Sequence, residues 1–130
     1  MKPGLDRFPL TAVNLKDMLW FAEEGRAVQR LYTSDQCDVI LVGWEAGQES
    51  SYHDHGISES VVLVVEGRIT AVSEGQERVL GPAETLVTPQ GAHHRMRNDG
   101  PGRAVTFHIY APPMQGGVSA PYIDHTTDSD

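Results

Sequence analysis

Short segments rich in Val, Ile and Thr, each bounded by turn-forming residues, restrict most strongly what this chain can fold into. Five of them follow one another, at residues 39–44 (VILVGW), 60–65 (SVVLVV), 68–73 (RITAVS), 84–89 (ETLVTP) and 103–110 (RAVTFHIY). β-Branched residues favour strands, and the Gly, Pro, Asn and Asp residues between the segments favour turns. We therefore predict an all-β fold, either an antiparallel sandwich or a small barrel.

The stretch before these segments has helical rather than strand periodicity. Its apolar residues are spaced i, i+3, i+4 and i+7, at Leu15, Met18, Leu19 and Ala22. Asn14 precedes them as a cap, so we predict an N-terminal helix over 14–25. The small, polar and acidic end of the chain, residues 116–130, predicts a loosely ordered tail rather than another strand. A barrel at about 31–113 would then form the core of a single domain.

The charge balance narrows the classes of partner. The chain of 130 residues has 18 acidic and 10 basic side chains and a net charge of -8, which repels nucleic-acid phosphates and anionic lipids. No apolar run has the length of a signal peptide or a membrane span. The lone cysteine, Cys37, cannot form an internal disulfide. We expect a cytoplasmic protein that binds neither nucleic acid nor membranes.

Two histidines one residue apart, His53 and His55, precede the second strand segment in the sequence YHDHGISES. On a strand, residues i and i+2 point to the same face, so both imidazoles would share one face with Asp54 opposed. Two imidazoles on one face can bind the same metal ion, but an isolated pair is also common without any ligand role. A further ligand from elsewhere is needed to favour a metal site.

A later segment, PQGAHHRMRN, offers His93 and His94 as that further ligand. Together the two segments resemble the two sequence motifs of the cupin family, in order and in spacing. The matching residues are Gly47, His53, Asp54, His55, Ser60 and Gly67 in the first motif and Pro89, Gly91, His94 and Asn98 in the second. The resemblance implies a small antiparallel barrel, the double-stranded β-helix, and selects His94 rather than His93 as the third metal ligand.

Within that family the chain looks like the cysteine dioxygenase group of thiol dioxygenases. The matching segments, GWEAGQESSYHDH, HRMRN and HIYAPPM, fall within the stretch from Tyr32 to Met114. The resemblance implies that His108 orients Tyr110, whose hydroxyl lies beside the reacting thiol and dioxygen. Thr106 shares their face because side chains alternate along a strand. A polar stripe that faces solvent instead stays open as an alternative.

The number of metal ligands is not decided by the sequence. Many metal cupins have a glutamate ligand shortly after the histidine pair, and Glu59 lies at such a spacing, whereas thiol dioxygenases have a non-ligating residue where this chain has Ser60. Both faces of the strand at 60–65 are apolar, so its periodicity permits either phase. Three neutral imidazoles alone would leave Fe(II) its full charge and free positions for a thiolate and dioxygen. We therefore favour Fe(II) held by His53, His55 and His94.

One residue departs from the resembled group. There an arginine follows the Tyr-Thr pair and binds the substrate carboxylate, but here Ser34 follows Thr33. A serine cannot replace a charged, bidentate guanidinium. Other arginines would have to bind the carboxylate, or the substrate lacks one; the candidates are Arg95, Arg97 and Arg103. On this basis we expect L-cysteine to be oxidised poorly compared with 3-mercaptopropionate or cysteamine.

The resulting hypothesis is an Fe(II) thiol dioxygenase that converts a small thiol to its sulfinic acid, with dioxygen and the thiol as its partners. Its active site would consist of Tyr110, His108 and Thr106 beside the metal ligands. Two alternatives remain: a four-ligand cupin with Glu59 that acts as an isomerase or a carbon-substrate dioxygenase, and a non-catalytic ligand-binding barrel. Whether the barrel forms a homodimer also stays open.

Overall fold

The computed structural model describes residues 9–114 and 121–125, which form one short helix and a set of antiparallel strands. In chain order the elements are α1 (Leu15–Met18), β1 (Arg26–Thr33), β2 (Asp38–Trp44), β3 (Glu59–Glu66), β4 (Ile69–Ser73), β5 (Gln76–Leu80), β6 (Thr85–Thr88), β7 (Arg95–Arg97), β8 (Ala104–Ala111) and β9 (Tyr122–Asp124). The larger sheet has the order β6-β3-β8-β2-β1-β9 and the smaller one β5-β4-β7. The predicted all-β antiparallel fold with an N-terminal helix is confirmed.

A single apolar core joins the two sheets. Val28, Val42 and Val62 from the larger sheet belong to the same buried cluster as Ile69 and Ala71 from the smaller one. Burying an aliphatic side chain of this size contributes roughly 1.5–3 kcal/mol, so the cluster is a main source of stability. The strands β2, β3 and β8 are adjacent in the larger sheet, and their inward residues meet at the centre of the barrel.

The helix is shorter than the predicted range 14–25. The side chain of Asn14 caps it by accepting a hydrogen bond from the Lys16 amide at 2.9 Å, but the helix ends at Met18. Beyond it, the Gln48 side chain donates to the Ala22 carbonyl at 2.7 Å. Trp20 and its neighbours pack closely on Gly43 of β2. These tertiary contacts override the local helical preference of residues 19–25.

The strand boundaries also correct the predicted barrel and tail. β1 begins at Arg26, before the expected start at 31, and β9 lies inside the range 116–130 that was predicted to be a loose tail. β9 pairs with the beginning of β1, Arg26 opposite Asp124. This pairing joins residues almost a hundred positions apart, so no local pattern indicates it. The other residues of the predicted tail, 116–120 and 126–130, lie outside the described residues. No helix in the described part of the chain is long and apolar enough to cross a membrane.

Gly67, in the turn between β3 and β4, is expected to tolerate alanine worse than Gly75 does. Both have a positive φ, 76° and 75°, a conformation in which L-residues are strained by roughly 1–2 kcal/mol. A Cβ on Gly67 would also overlap the Arg103 carbonyl and lie 2.8 Å from the Cα of Ala104, whereas a Cβ on Gly75 would meet nothing within 4 Å. In urea denaturation, Gly67→Ala should lose about 1–3 kcal/mol more stability than Gly75→Ala. Equal losses would show that backbone strain alone matters.

Candidate functional site

A cavity of about 430 Å³ lies within the barrel, a volume suited to a small ligand. Part of its wall is apolar and comes from the larger sheet, with Val28, Val42 and Val62. Histidines and a tyrosine contribute the polar part of the wall. A ligand in this cavity would therefore meet a few polar groups on an otherwise apolar surface.

Three histidines converge at the cavity wall. One ligand atom each from His53, His55 and His94 lies within 4.8 Å of the others, and the ring centroids are 4.7–4.9 Å apart. His93 is not part of this group: its side chain is largely exposed, stacks on Tyr52 and lies 3.3 Å from the Asp54 carboxylate. The geometry thus brings together the three residues that the motif spacing selects.

The backbone that carries these histidines is not the regular strand expected from the sequence. His53 and His55 lie in the loop between β2 and β3, and His94 comes just before β7. His53 and His94 form an isolated antiparallel bridge, with N–H to O=C hydrogen bonds of 2.9 and 2.8 Å in the two directions. This bridge, rather than strand alternation, sets the separation of the two side chains.

The protonation of the histidines suits metal binding. Nδ1 of His53 donates to the Ser51 carbonyl at 2.6 Å and Nδ1 of His94 to the Ala92 carbonyl at 3.0 Å, so in the neutral rings Nε2 is the nitrogen without a proton. Burial, with help from the other two histidines, lowers the pKa of His55 to about 3. Burial also lowers the pKa of His94. A metal requires neutral imidazole, so the lowered pKa values of His55 and His94 favour the binding of a divalent cation.

Glu59 does not join the group. Exposure alternates at the start of β3, where Glu59 and Val61 are exposed and Ser60 and Val62 are buried. Val62 lines the cavity, so Glu59 lies on the opposite, outer face of the strand. Among residues 9–114 and 121–125, the set of potential metal ligands here contains three histidines and no carboxylate.

A buried line of hydrogen bonds runs along β8 to the cavity. The Trp44 indole donates to Thr106 Oγ1 at 2.8 Å, Thr106 Oγ1 lies 2.7 Å from His108 Nε2, and His108 Nδ1 lies 3.1 Å from the Tyr110 hydroxyl. Thr106 and His108 are at most 1% exposed and Tyr110 is 5% exposed. The polar stripe therefore faces the barrel interior, and the alternative of a solvent-facing stripe is wrong. The rings of Tyr110 and His55 are 4.8 Å apart.

The direction of these hydrogen bonds follows from the donors available. Thr106 Oγ1 accepts from Trp44 and can donate its own proton to Nε2 of His108. His108 is then neutral with its proton on Nδ1, in agreement with burial, which lowers its pKa to about 3. Nδ1 donates to the Tyr110 oxygen, and the phenol proton is left to donate elsewhere. Burial raises the pKa of Tyr110, so the phenol keeps that proton at neutral pH.

The arginines considered from the sequence lie outside the cavity wall. Ser34 is in the turn between β1 and β2, where its hydroxyl accepts from the amides of residues 36 and 37, and it does not line the cavity. Arg95 pairs with Glu49 at 3.6 Å. Arg97 pairs with two acidic side chains, and Arg103 pairs with one. None of these four residues lines the cavity.

Arg26, which the sequence analysis missed, does line the cavity. Its side chain is 12% exposed, forms an ion pair with Asp124 and lies over the Trp44 ring, 5.0 Å from the centroid. Burial lowers its pKa, although an arginine remains charged at neutral pH. Arg26 is therefore an arginine of the cavity wall in addition to the three candidates named from the sequence.

The buried neutral His108 predicts that acid weakens the metal-free fold. Its pKa is about 3 in the folded protein against 6.5 unfolded, so the unfolded chain binds more protons between these values. The stabilisation is complete above pH 6.5 and is lost as the pH falls towards 3. The free energy of unfolding in urea denaturation should fall from pH 6.5 to 4.5, by up to about 1.4 kcal/mol per pH unit for this histidine. The slope should be smaller in His108→Gln; an unchanged slope in that variant would contradict the assignment.

Known proteins share both the sequence pattern and the architecture. Residues 40–110, more than half of the chain, match the family model described as Cupin domain. TT1209 from Thermus thermophilus is similar with a TM-score of 0.75 and 25% identity over 79% of this chain and 98% of that one. A protein with a double-stranded β-helix domain from Klebsiella pneumoniae has a TM-score of 0.74 and 17% identity over 82% and 92%. An RmlC-like cupin from Desulfovibrio desulfuricans has a TM-score of 0.72 and 23% identity over 80% of this chain and 98% of that one.

Proposed function

The chain belongs to the cupin domain family, and on this premise we propose that it is a non-haem Fe(II) thiol dioxygenase. The observation that carries the proposal is one cavity in which three histidines, with no carboxylate from the described residues in their group, lie next to the hydrogen-bonded Tyr110. The resemblance of the HDH, HRMRN and HIYAPPM segments to the cysteine dioxygenase group supports the same activity.

The reaction adds both atoms of dioxygen to the sulfur of a small thiol: RSH + O₂ → RSO₂H. The S–H bond and the O–O bond break, two S–O bonds form, and the proton ends on the sulfinic acid or in solvent. Sulfur loses four electrons and dioxygen gains them, so no external reductant is needed. A site for this reaction must bind a thiolate, admit dioxygen and exclude bulk water.

His53, His55 and His94 would hold the iron, each through a ring nitrogen. When bound, Fe(II) supplies a Lewis acid that stabilises the thiolate and a redox centre for dioxygen. The Nδ1 hydrogen bonds of His53 and His94 to backbone carbonyls fix the orientation of their rings. Since the set contains no carboxylate, no ligand charge would weaken the affinity of the site for an anionic sulfur.

Tyr110 orients the substrate in this proposal. His108 and Thr106 hold its oxygen and leave its proton free to donate to an acceptor in the cavity. Because the phenol is buried, such a hydrogen bond is stronger than it would be in water. The apolar walls at Val28, Val42 and Val62 limit water around the reacting atoms.

Oxygen uptake with thiols and identification of the product test the proposal. Purified protein is analysed for metals, loaded with Fe(II) and screened with 3-mercaptopropionate, L-cysteine and cysteamine, with 2,4-pentanedione and a flavonol as carbon substrates. We expect iron-dependent uptake with a thiol only, and a sulfinic acid that carries two ¹⁸O atoms from ¹⁸O₂. Uptake with the carbon substrates, or a disulfide as the only thiol product, would contradict it.

A further inference from the structure

Arg26 is the basic side chain of the cavity wall, and its hydrogen-bonding capacity is not filled. The wall is otherwise neutral or acidic, with Asp54 and Asp124 as its carboxylates. Nε of Arg26 is buried and has no hydrogen-bond partner among the described residues. A buried guanidinium N–H without an acceptor carries a desolvation cost that an acidic ligand would offset.

The present partner of Arg26 is a carboxylate of the chain itself. Asp124 binds one terminal nitrogen of the guanidinium and also lines the cavity. It lies on β9, a three-residue strand at the edge of the larger sheet that pairs with β1 alone, and its side chain is 31% exposed. Such a carboxylate can turn towards solvent, but the buried guanidinium of Arg26 would then need another anion as its partner.

Arg26 is also close to the groups that would handle the thiol. These groups are His55, His108 and Tyr110. These residues and Arg26 line the same cavity of about 430 Å³. A small molecule with a thiol at one end and an acidic group at the other can therefore contact both the histidine group and the guanidinium.

We propose that Arg26 is the binding site for the carboxylate of the substrate and that Asp124 is an internal competitor which this carboxylate displaces. The inference rests on the proposed function for the thiol end of the ligand only. It names the substrate class as small thiol carboxylates, such as 3-mercaptopropionate, and excludes cysteamine as a good substrate. The expected ranking from Ser34, which placed cysteamine among the preferred thiols, is replaced accordingly.

Anaerobic calorimetric titration tests the subsite without turnover. Fe(II)-loaded and metal-free protein are titrated with 3-mercaptopropionate, with 2-mercaptoethanol, which lacks the carboxylate, and with propionate, which lacks the thiol. In the loaded protein, 3-mercaptopropionate should bind roughly 10- to 100-fold more tightly than 2-mercaptoethanol, the range expected for a charge-assisted contact. Arg26→Gln should remove this preference. Arg26→Lys, which keeps the charge but not the fork, should retain a part of it.

The variant Asp124→Asn distinguishes a competing carboxylate from an ion pair that only stabilises the fold. Removal of the competing carboxylate should tighten binding of 3-mercaptopropionate and of propionate several-fold, while 2-mercaptoethanol is unaffected. Unchanged or weaker binding of both carboxylates to a folded Asp124→Asn protein would overturn the proposed competition. The matched control is Arg103→Gln, because Arg103 also pairs with a carboxylate, Glu45, and lies over an aromatic ring, but outside the cavity. It should leave all three affinities unchanged.

The two proposals fail in different ways. If Arg26-dependent binding of propionate persists in metal-free protein but no thiol is oxidised, the carboxylate site stands and the dioxygenase proposal is wrong. If thiols are oxidised but Arg26→Gln and wild type prefer 3-mercaptopropionate equally, the dioxygenase stands and the Arg26 site is wrong. Circular dichroism of each variant confirms that it is folded before its affinity is compared.

Discussion

Alanine in place of His53, His55 or His94 is expected to abolish stable iron binding. Each substitution leaves two imidazoles, and the structure brings no carboxylate of the described residues into the group to replace the third. Even the loss of an outer hydrogen-bond partner typically lowers metal affinity by about 10- to 100-fold, so the loss of a ligand should exceed that range. Iron content after dialysis, measured by mass spectrometry, checks the result.

Two controls separate ligands from neighbours. His93→Ala changes the adjacent histidine, whose side chain is exposed and lies outside the group, and it should keep its iron. Glu59→Ala removes the carboxylate on the outer face of β3 and should also keep its iron. A large loss of iron in Glu59→Ala would overturn the three-histidine site and favour a four-ligand cupin.

Tyr110→Phe is expected to lower kcat for thiol oxidation by roughly 10²- to 10³-fold, the usual effect of removing one hydrogen-bond donor aimed at reacting atoms. Phenylalanine keeps the ring that packs 4.8 Å from His55, so the fold and iron content should be preserved. Steady-state oxygen uptake at saturating thiol measures the loss. An unchanged kcat with a raised KM would show that the hydroxyl only binds the ground state.

Thr106→Val probes the same line of hydrogen bonds one step further from the cavity. It removes the donor to His108 Nε2 and leaves the Trp44 indole without its acceptor. His108 can then change tautomer and no longer fixes the direction of the Tyr110 proton. A smaller loss of kcat than in Tyr110→Phe, with iron retained, is the expected result.

Much of the fold was accessible from the sequence because strand pattern and turn residues agree locally. β2, β3, β4, β6 and β8 all lie within one or two residues of the predicted segments. β5 and β7 were not predicted. β5 (Gln76–Leu80) is mainly polar and exposed, and β7 (Arg95–Arg97) has a single buried residue. Short edge strands of this composition have no periodic apolar signal.

The phase of β3 shows why the ligand number could not be settled from sequence. Val61 and Val65 are 41% and 38% exposed although they are apolar, so the residues on the outer face of the sheet are as apolar in sequence as those on the inner face. Only the pairing of β3 with its neighbours places Ser60 and Val62 inside. The histidine group was accessible because motif spacing, unlike strand phase, identifies His94 directly.

Arg26 could not be found from its surroundings in the chain. It stands in the charged sequence EEGRAVQR, which is typical of a surface, and it precedes the segments that carry the family resemblance. Its partner Asp124 lies in a polar stretch with no strand signal. The pairing of β1 with β9 brings Arg26 and Asp124 together, and no local stretch of sequence indicates a pairing over such a distance.

The reciprocal backbone hydrogen bonds between His53 and His94 hold two of the proposed metal ligands side by side through the backbone alone. The backbone already fixes two of the three histidines relative to each other, so binding of an ion would order little additional backbone. The arrangement of these two side chains therefore does not depend on a bound ion. If the three histidines bind a metal, exchange of one divalent cation for another would need little rearrangement of this backbone, and the metal that is bound would depend on ligand preference and cellular supply.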